Sequence, residues 1–241
     1  MAQDVDPQAL QRLLELQNHD SEIARLDHRK STLPEAQRLT EVNGLLEELG
    51  ADIEIAEKQA KEITREQDRL EGEIGLIEQK TQREEGRLFS GGVSNPKELS
   101  SLQAEVAMLK KKRAELDDGL LEVMVQKDDA VSTKERLEGE RSEAATEAES
   151  LTRKVEELTS EIDAELTQHS SARSELTSSI PEDLLALYES LRASKHGVGA
   201  AALRNGTCEG CHTELPAREV ERLKAAGGLQ RCDNCRRILV V

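Results

Sequence analysis

The chain has 241 residues, of which 36% are hydrophobic and 34% are charged, and its only aromatic residues are Phe89 and Tyr188. Globular domains usually contain about 45–50% apolar residues, so this composition excludes a large rounded core and favours long helices that bury a narrow stripe. The formal net charge is −16, and from Arg204 onward seven basic residues outnumber five acidic ones, which leaves −18 on residues 1–203. Nucleic-acid binding along most of the chain is disfavoured, because it depends on neutralising phosphates.

The first predicted element is a helix over residues 7–31, because apolar residues recur on one side of it: Leu10, Leu13, Leu16, Ile23 and Leu26. Pro34 then restarts the helix, which places a break at 32–34. The chain begins with acidic and polar residues, and no run of ten apolar residues occurs in it. We therefore expect neither a signal peptide nor a membrane span.

Two coiled-coil seams follow, in which seam positions alternate in spacing between three and four residues. One seam runs from Leu39 to Leu88 and the other from Leu99 to Ile162. The seams mirror each other about a glycine-rich break, since position 88 matches 99 and position 49 matches 137, with sums of 187 and 186. An antiparallel helical hairpin produces matched sums of this kind. Residues 1–180 are accordingly predicted to form a coiled-coil hairpin domain.

The tip of the hairpin is predicted at 90–96, where Gly91 and Gly92 supply turn conformations that side chains would resist. Asn95 is the expected N-cap of the returning helix. Pro96 then takes the first helical position, where its missing N–H costs nothing, and Glu98 can reach back to the cap as in a capping box. The sequence therefore indicates a reversal of the chain at this point.

A second domain is predicted over residues 181–241. It opens with a docking helix over 182–194, which carries Tyr188 and ends before Gly197 and Gly199. The remaining predicted elements are short strands over 200–204, 229–232 and 238–241 and a helix over 216–225. The predicted fold class is thus mainly α, a long antiparallel coiled-coil hairpin followed by a small β-rich zinc ribbon.

The zinc assignment rests on cysteine spacing. All four cysteines of the chain lie in two Cys-x-x-Cys pairs near the C-terminus, and twenty residues separate the pairs: Cys208, Cys211, Cys232 and Cys235. Two such turns place four thiolates around one ion in a tetrahedron. A site with four thiolates has no open position for water or substrate, so we expect one structural Zn²⁺ and no catalytic metal.

The cysteines admit three other interpretations. Two disulfides would require an oxidising compartment, whereas cysteines confined to metal-ligand spacing suit a reducing cytoplasm. His212 adjoins Cys211 and could replace a thiolate, although four cysteines already complete the coordination. A redox dithiol usually lies in a thioredoxin-like alternation of strands and helices, which the surrounding sequence lacks. We expect a cytoplasmic protein.

Basic residues accompany the zinc module, and two candidate contact surfaces follow from them. Tyr188 and Arg192 could line a surface between the docking helix and the ribbon, although a core tyrosine is the alternative. The other candidates for contact with a partner or with nucleic acid form the basic rim: Arg218, Arg222, Arg231, Arg236 and Arg237. They could equally compensate a zinc–thiolate cluster, which keeps a formal −2 charge.

The whole chain resembles the bacterial family of C4-type zinc ribbon domain proteins, in which a long coiled-coil hairpin precedes a C-terminal ribbon. The resemblance is carried by the tip Ser94-Asn95-Pro96-Lys97-Glu98-Leu99, by the helix from Tyr188 to Arg192 and by the four cysteines. It implies nucleic-acid binding or partner binding, since members are generally described in those terms. One flagellated branch is linked to flagellar gene control through a sigma-factor partner and message binding.

No Gly-rich phosphate loop, serine elbow or fixed acidic pair occurs, so an enzyme is not expected. The sequence predicts a non-enzymatic adaptor that binds a protein partner through the acidic stalk and the zinc head. The alternative is a protein that binds RNA or DNA through the basic rim of the ribbon. No membrane and no small-molecule substrate are expected, and a monomer is expected because the two arms satisfy each other's seams.

Overall fold

The computed structural model describes residues 6–92 and 94–241, and in these ranges it contains five helices and five short strands. The helices are α1 (Pro7–Ser31), α2 (Pro34–Phe89), α3 (Pro96–Ser178), α4 (Glu182–Ser194) and α5 (Ala217–Ala226). The strands are β1 (Ala200–Arg204), β2 (Thr207–Cys208), β3 (Thr213–Glu214), β4 (Gln230–Arg231) and β5 (Ile238–Val240). The predicted fold class is confirmed. No helix in these ranges is long and apolar enough to cross a membrane.

Helix boundaries follow local capping chemistry. The side chain of Asp6 accepts a hydrogen bond from the N–H of Gln8 at 3.0 Å, and Pro7 occupies the first helical position of α1. Thr32 ends α1 by donating its N–H to the carbonyl of His28 at 3.1 Å. Helix α2 begins two residues later, at Pro34, so residues 32 and 33 separate the two helices.

The chain divides into two compact units, and the first is residues 38–150, which we call the hairpin unit. Its buried apolar residues all occupy predicted seam positions: Val42, Leu49, Ile53, Ala56, Leu70, Ile74 and Ile77 on α2, and Leu102, Val106, Leu109, Leu137, Ala144 and Ala148 on α3. Arm-to-arm ion pairs flank this seam, among them Lys80–Glu105 at 2.8 Å and Arg38–Glu147 at 2.8 Å. Exposed pairs of this kind add little stability, but they discriminate against other registers.

At the predicted hairpin tip, Asn95 accepts the N–H of Lys97 on its side chain at 3.0 Å, and Pro96 is the first residue of α3. Gly91 has φ +74°, a conformation that residues with a Cβ avoid. Glu98 lies in the first helical turn. Val93 and residues 1–5 lie outside the described residues, and the predicted domain boundary at 180/181 stays a prediction.

The second compact unit consists of residues 6–37 and 151–241, and we call it the ribbon-bearing unit. Its main core joins α1, α4 and the sheet through Leu10, Leu13, Leu16, Ile180, Leu184, Tyr188, Leu191, Ala200, Ile238 and Val240. A smaller core surrounds the fully buried Leu26 and Ile162. Helix α1 therefore packs on the ribbon and on α4 as well as on α3.

The sheet of this unit has the order β3-β2-β1-β5-β4. Strand β1 pairs in parallel with β5, and the other neighbours pair antiparallel. Gly199, the residue before β1, approaches α4 closely, and a Cβ added there would lie 2.7 Å from the carbonyl oxygen and from a ring carbon of Tyr188. This close approach requires glycine, and it places the ribbon directly against the helix that precedes it.

A buried carboxylate joins three helices of the ribbon-bearing unit. The Asp20 side chain, on α1, is fully buried and accepts the hydroxyl of Tyr188 at 2.6 Å and the Nε of Arg173 at 2.7 Å. Arg192 approaches the same carboxylate at 3.1 Å, and Glu189 bonds to both arginines. Burial raises the pKa of Tyr188, with the hydrogen bond to Asp20 adding to the effect. The carboxylate is thus compensated by two guanidinium groups and a hydroxyl donor.

Gln17, one turn before Asp20, connects α1 to the ribbon. Its side-chain oxygen accepts the N–H of Gly199 at 2.7 Å and that of Ala200 at 3.3 Å. Its amide nitrogen donates to the carbonyl of Gly197 at 3.0 Å. One side chain therefore satisfies three backbone groups at the start of β1 that no helix or strand would otherwise pair.

We predict that Asp20→Ala destabilises the ribbon-bearing unit by about 3–5 kcal/mol, because it leaves the buried Tyr188 hydroxyl unpaired and two half-buried arginines without their shared carboxylate. Tyr188→Phe removes one hydrogen bond to the carboxylate and should cost about 1–3 kcal/mol. Hydrogen exchange of α1 and α4 amides, read by mass spectrometry, measures these local changes. Asp27→Ala, at an exposed position of α1, is the matched control. An equal loss of protection in the control and in Asp20→Ala would contradict the prediction.

Candidate metal centre

The two Cys-x-x-Cys turns have the same backbone geometry. In the first, the N–H of His212 donates to the carbonyl of Cys208 at 2.8 Å, and in the second, the N–H of Arg236 donates to the carbonyl of Cys232 at 2.8 Å. His212 and Arg236 both have positive φ, +57° and +65°. Each turn curls back at the residue after its second cysteine and thereby brings both sulfurs to one side.

The four sulfurs form one cluster. The Sγ atoms of Cys208 and Cys235 are 3.9 Å apart, those of Cys211 and Cys232 are 3.9 Å apart, and all four lie within 4.8 Å of one another. Tetrahedral Zn²⁺ with Zn–S bonds of about 2.3 Å separates its sulfurs by about 3.8 Å. The cluster therefore fits one structural Zn²⁺, as the sequence predicted.

Neither disulfides nor a histidine ligand belong to this arrangement. The cysteines are free thiols, and 3.9 Å is far longer than a disulfide bond of about 2.05 Å. His212 is exposed and does not belong to the sulfur cluster. Four protein ligands complete the tetrahedron, so a bound zinc ion stabilises the fold and leaves no position for a substrate.

The thiols differ in acidity before metal binds. Burial raises the pKa of Cys208 to about 12 and also raises the pKa of Cys232. Burial opposes ionisation of Cys211 as well, but hydrogen bonds from Thr213 and Asn234 to its sulfur outweigh that effect and lower its pKa to about 6. Asn234 reaches the sulfur with its side-chain nitrogen at 3.6 Å. Cys211 is therefore the most readily ionised of these three ligands.

The ribbon has a small core of its own, and the ligands form part of it. Its buried residues are Ala201, Cys208, Leu215, Leu223, Cys232 and Leu239. So few apolar side chains cannot offset the conformational entropy of about 40 residues, so the metal must supply much of the folding free energy. The zinc site is therefore a condition of the ribbon's structure.

Arg237 ties the zinc turns to the end of α4. Its guanidinium donates to three backbone carbonyls, those of Gly210 at 2.9 Å, Val198 at 2.9 Å and Lys195 at 2.9 Å. Gly210 lies between the cysteines of the first turn, and Lys195 follows the last residue of α4. Arg237, which was predicted as a partner contact, therefore binds backbone carbonyls of its own chain.

The other rim arginines differ in their exposure and in whether their guanidinium groups form ion pairs within the protein. Arg222 pairs with Asp233 at 3.0 Å, and Arg236 approaches the same carboxylate at 4.0 Å. Arg231 is half-buried, and its Nε has no hydrogen-bond partner among the described residues. Arg218 is exposed and forms no ion pair with them. The structure thus leaves Arg218 as the most available cation of the predicted set.

Tyr188 and Arg192 do not line an open surface. Tyr188 is fully buried, and both side chains bind Asp20. Sequence reasoning missed Gln17, Asp20 and Arg173 as members of this junction. The signal was available, because Gln17 and Asp20 continue the apolar face of α1 set by Leu10 and Leu13, where a polar residue is buried and needs a partner.

We predict a graded response of zinc binding to substitution. Cys232→Ser removes a fully buried ligand and should abolish stoichiometric zinc and unfold the ribbon, while the helical far-UV signal of the hairpin persists. Asn234→Ala keeps all four ligands but removes a donor to Cys211, and should weaken zinc affinity by about 10- to 100-fold. Chelator competition measures both effects. Unchanged affinity in Asn234→Ala would show that this hydrogen bond does not tune the site.

Zinc affinity is predicted to fall as the pH is lowered, because zinc binds thiolates and must displace their protons. Cys208 and Cys232, whose pKa values are raised, still hold their protons at pH 7 without metal. Release of two protons predicts a loss of affinity of about 100-fold or more from pH 8 to pH 7. Chelator competition at both pH values measures it. A pH-independent affinity would contradict this account of the thiols.

Relatives and solved structures place the chain in context. It is 32% identical to an uncharacterized protein of Mycobacterium tuberculosis over 95% of this chain and 93% of that one. A solved structure from Mycobacterium smegmatis is 26% identical, with a TM-score of 0.82 over 100% of this chain and 99% of the other. CT398 from Chlamydia trachomatis has a TM-score of 0.69 at 22% identity, over 96% and 97% of the two chains, and shares the fold.

Two family descriptions match the sequence in chain order. Residues 16–196 match the CT398-like coiled coil hairpin domain, and residues 207–239 match the C4-type zinc ribbon domain. The second match contains all four clustered cysteines. The chain therefore belongs to the family of CT398-like coiled-coil hairpin proteins and carries a C-terminal C4-type zinc ribbon.

Proposed function

We propose that this protein is a non-enzymatic cytoplasmic adaptor, which binds a protein partner through its acidic hairpin and its zinc-bearing head. The observation that carries the proposal is the closed cluster of four thiolates. Zinc held by four protein ligands cannot polarise a substrate or activate water. One matched family is a coiled-coil hairpin domain and the other is a zinc ribbon domain, and both kinds of domain are typical of interaction modules.

The internal bonding of the ribbon supports a binding role. Arg237 and Gln17 fix the zinc turns and the start of β1 against α4 and α1. A surface held by such contacts loses little conformational entropy when a partner binds, and that increases affinity. The acidic residues of the two arms can select and orient a partner electrostatically.

Charge pairing favours a protein partner over nucleic acid. Asp233 compensates Arg222 and Arg236, and backbone carbonyls occupy Arg237, so the rim presents a weak positive field. Nucleic-acid binding draws its affinity from unpaired cations that neutralise phosphates. The ribbon's sequence also contains no Phe, Tyr or Trp, the residues on which single-stranded bases most often stack.

The adaptor proposal predicts a protein partner whose capture depends on the folded head. The zinc-loaded full chain, crosslinked in native cytosol, should capture one set of proteins, and Cys232→Ser should lose at least those that contact the head. Asn234→Ala, assayed with excess zinc, is the matched control and should retain them. Capture that is identical for the wild type and Cys232→Ser would restrict binding to the hairpin. Capture of no protein would contradict the proposal.

A gel-shift titration tests the nucleic-acid alternative. The adaptor proposal predicts a Kd weaker than about 10⁻⁴ M for single-stranded RNA and duplex DNA at physiological salt. Tighter binding that falls steeply between about 50 and 200 mM salt would favour the alternative. In that case Arg218→Ala should weaken binding, since Arg218 is the exposed rim arginine without an ion pair among the described residues.

A further inference from the structure

Four large apolar side chains lie exposed along the middle of α3, within the hairpin unit. Each is between 42% and 62% exposed, and we call them the α3 patch: Leu121, Met124, Val125 and Val131. Spacings of three, four and seven residues place them on one face of the helix, beside the seam rather than in it. Two-stranded coiled coils normally carry polar residues on this face. The patch is therefore apolar surface that the pairing of α2 with α3 does not bury.

The seam beside the α3 patch is incompletely buried. Among the described residues, α3 has no buried apolar residue between Leu109 and Leu137, and α2 has none between Ala56 and Leu70. The α3 seam residues at this level are only half-buried: Leu116, Leu120, Val123 and Ala130. A groove of about 420 Å³ lies along the same stretch of the hairpin and is lined by Glu57, Ala60, Lys61, Thr64, Arg65 and Lys134. A further helix packed here would bury apolar surface that the two arms leave partly exposed.

Polar side chains at the seam account for this incomplete burial. Lys127, a seam residue of α3, donates to the side-chain oxygen of Gln67, a seam residue of α2, at 2.9 Å. Lys134, also at the seam, pairs with Glu57 of α2 at 3.1 Å. Long polar side chains thus occupy positions that apolar residues hold elsewhere in the hairpin. Because α2 engages both lysines, neither supplies a free positive charge to the α3 patch.

We propose that the α3 patch binds an amphipathic helix of a partner protein, one whose apolar stripe is bordered by lysine and arginine. This proposal rests on the adaptor function proposed above, for which it names the surface and the class of partner. Apolar anchors at intervals of three, four and seven residues are the pattern by which one helix recognises another. Residues 121–131 extend about 15 Å along α3, which matches about three turns of the bound helix.

Acidic side chains around the patch select a basic helix. Asp118, Asp128 and Glu135 lie on the same face of α3 as the patch, and none of them forms an ion pair or a hydrogen bond with the described part of the chain. Between residues 117 and 135, the only cations of α3 are Lys127 and Lys134, which α2 engages. Two copies of the chain joined through this patch would bring like charges together, at a cost in repulsion. Charge therefore favours a basic partner over a second copy.

The test measures binding of a fluorescein-labelled peptide to the zinc-loaded full chain by fluorescence anisotropy. The peptide is a designed helix of about 18 residues, with leucine at the a and d positions of its heptads and lysine at the flanking positions. We expect a Kd tighter than about 100 µM. A double variant, Leu121→Ser with Val125→Ser, should weaken binding at least tenfold. Met108→Ser, on another face of α3 and as exposed as Val125, is the matched control and should bind as the wild type does.

Two further measurements separate the apolar contact from general attraction between a basic peptide and an acidic chain. A peptide of the same composition in scrambled order, which has no apolar stripe, should bind at least tenfold more weakly. Asp128→Asn should weaken binding of the designed peptide by a smaller factor, which shrinks as salt rises from about 50 to 200 mM. Far-UV circular dichroism checks that each variant retains its helices.

The proposal is overturned if the Kd exceeds about 100 µM, if the designed and scrambled peptides bind alike, or if the double variant binds as tightly as the wild type. A concentration-dependent dimer that the double variant abolishes would also overturn it, because the patch would then belong to a second copy. Crosslinking that captures proteins while peptide binding is independent of the patch would leave the adaptor function standing. Peptide binding through the patch without any captured protein would contradict the adaptor function alone.

Discussion

The ribbon-bearing unit depends on one buried carboxylate. Asp20 accepts bonds from Tyr188 on α4 and Arg173 on α3 while it belongs to α1, so a single side chain fixes three helices around one point. A buried charge is stable only when its partners are complete. Loss of any one helix from this arrangement would leave charged groups without compensation, which makes the association of the three helices cooperative.

Zinc and Arg237 extend that cooperativity into the sheet. The metal fixes the two cysteine turns, and hydrogen bonds from Arg237 connect the first of these turns to the carbonyl of Lys195, just beyond α4. Gln17 reaches the first residue of β1 from the opposite side. A ribbon with so small a core thus receives its stability from outside its own apolar residues, through a metal, a guanidinium and an amide.

The sequence predicted structure correctly where a periodic pattern or a fixed residue spacing is sufficient by itself to specify that structure. The seam from Leu39 to Leu88 and its mirror predicted the hairpin, and the cysteine spacing predicted the zinc site. Strands β2 and β3 were missed, because two residues carry no periodicity and their pairing is set by the turn around Cys208. The parallel pairing of β1 with β5 and the Asp20 cluster were also missed, since both join segments that are far apart in the chain and have no local signal.

The hairpin has a consequence for how the two ends of the chain find each other. Gln17 and Gly199 are 182 residues apart in sequence, and Asp20 and Tyr188 are 168 apart. Closing so long a flexible loop is entropically costly and slows folding in chains of high contact order. Here residues 38–150 form a compact unit of their own, so the two arms can pair progressively, beginning with contacts that are close in sequence. This pairing returns the chain to the end at which the hairpin begins. Because the hairpin unit folds through its own contacts, matched heptads could be removed from both arms without disturbing the ribbon. Natural length variants could arise in the same way.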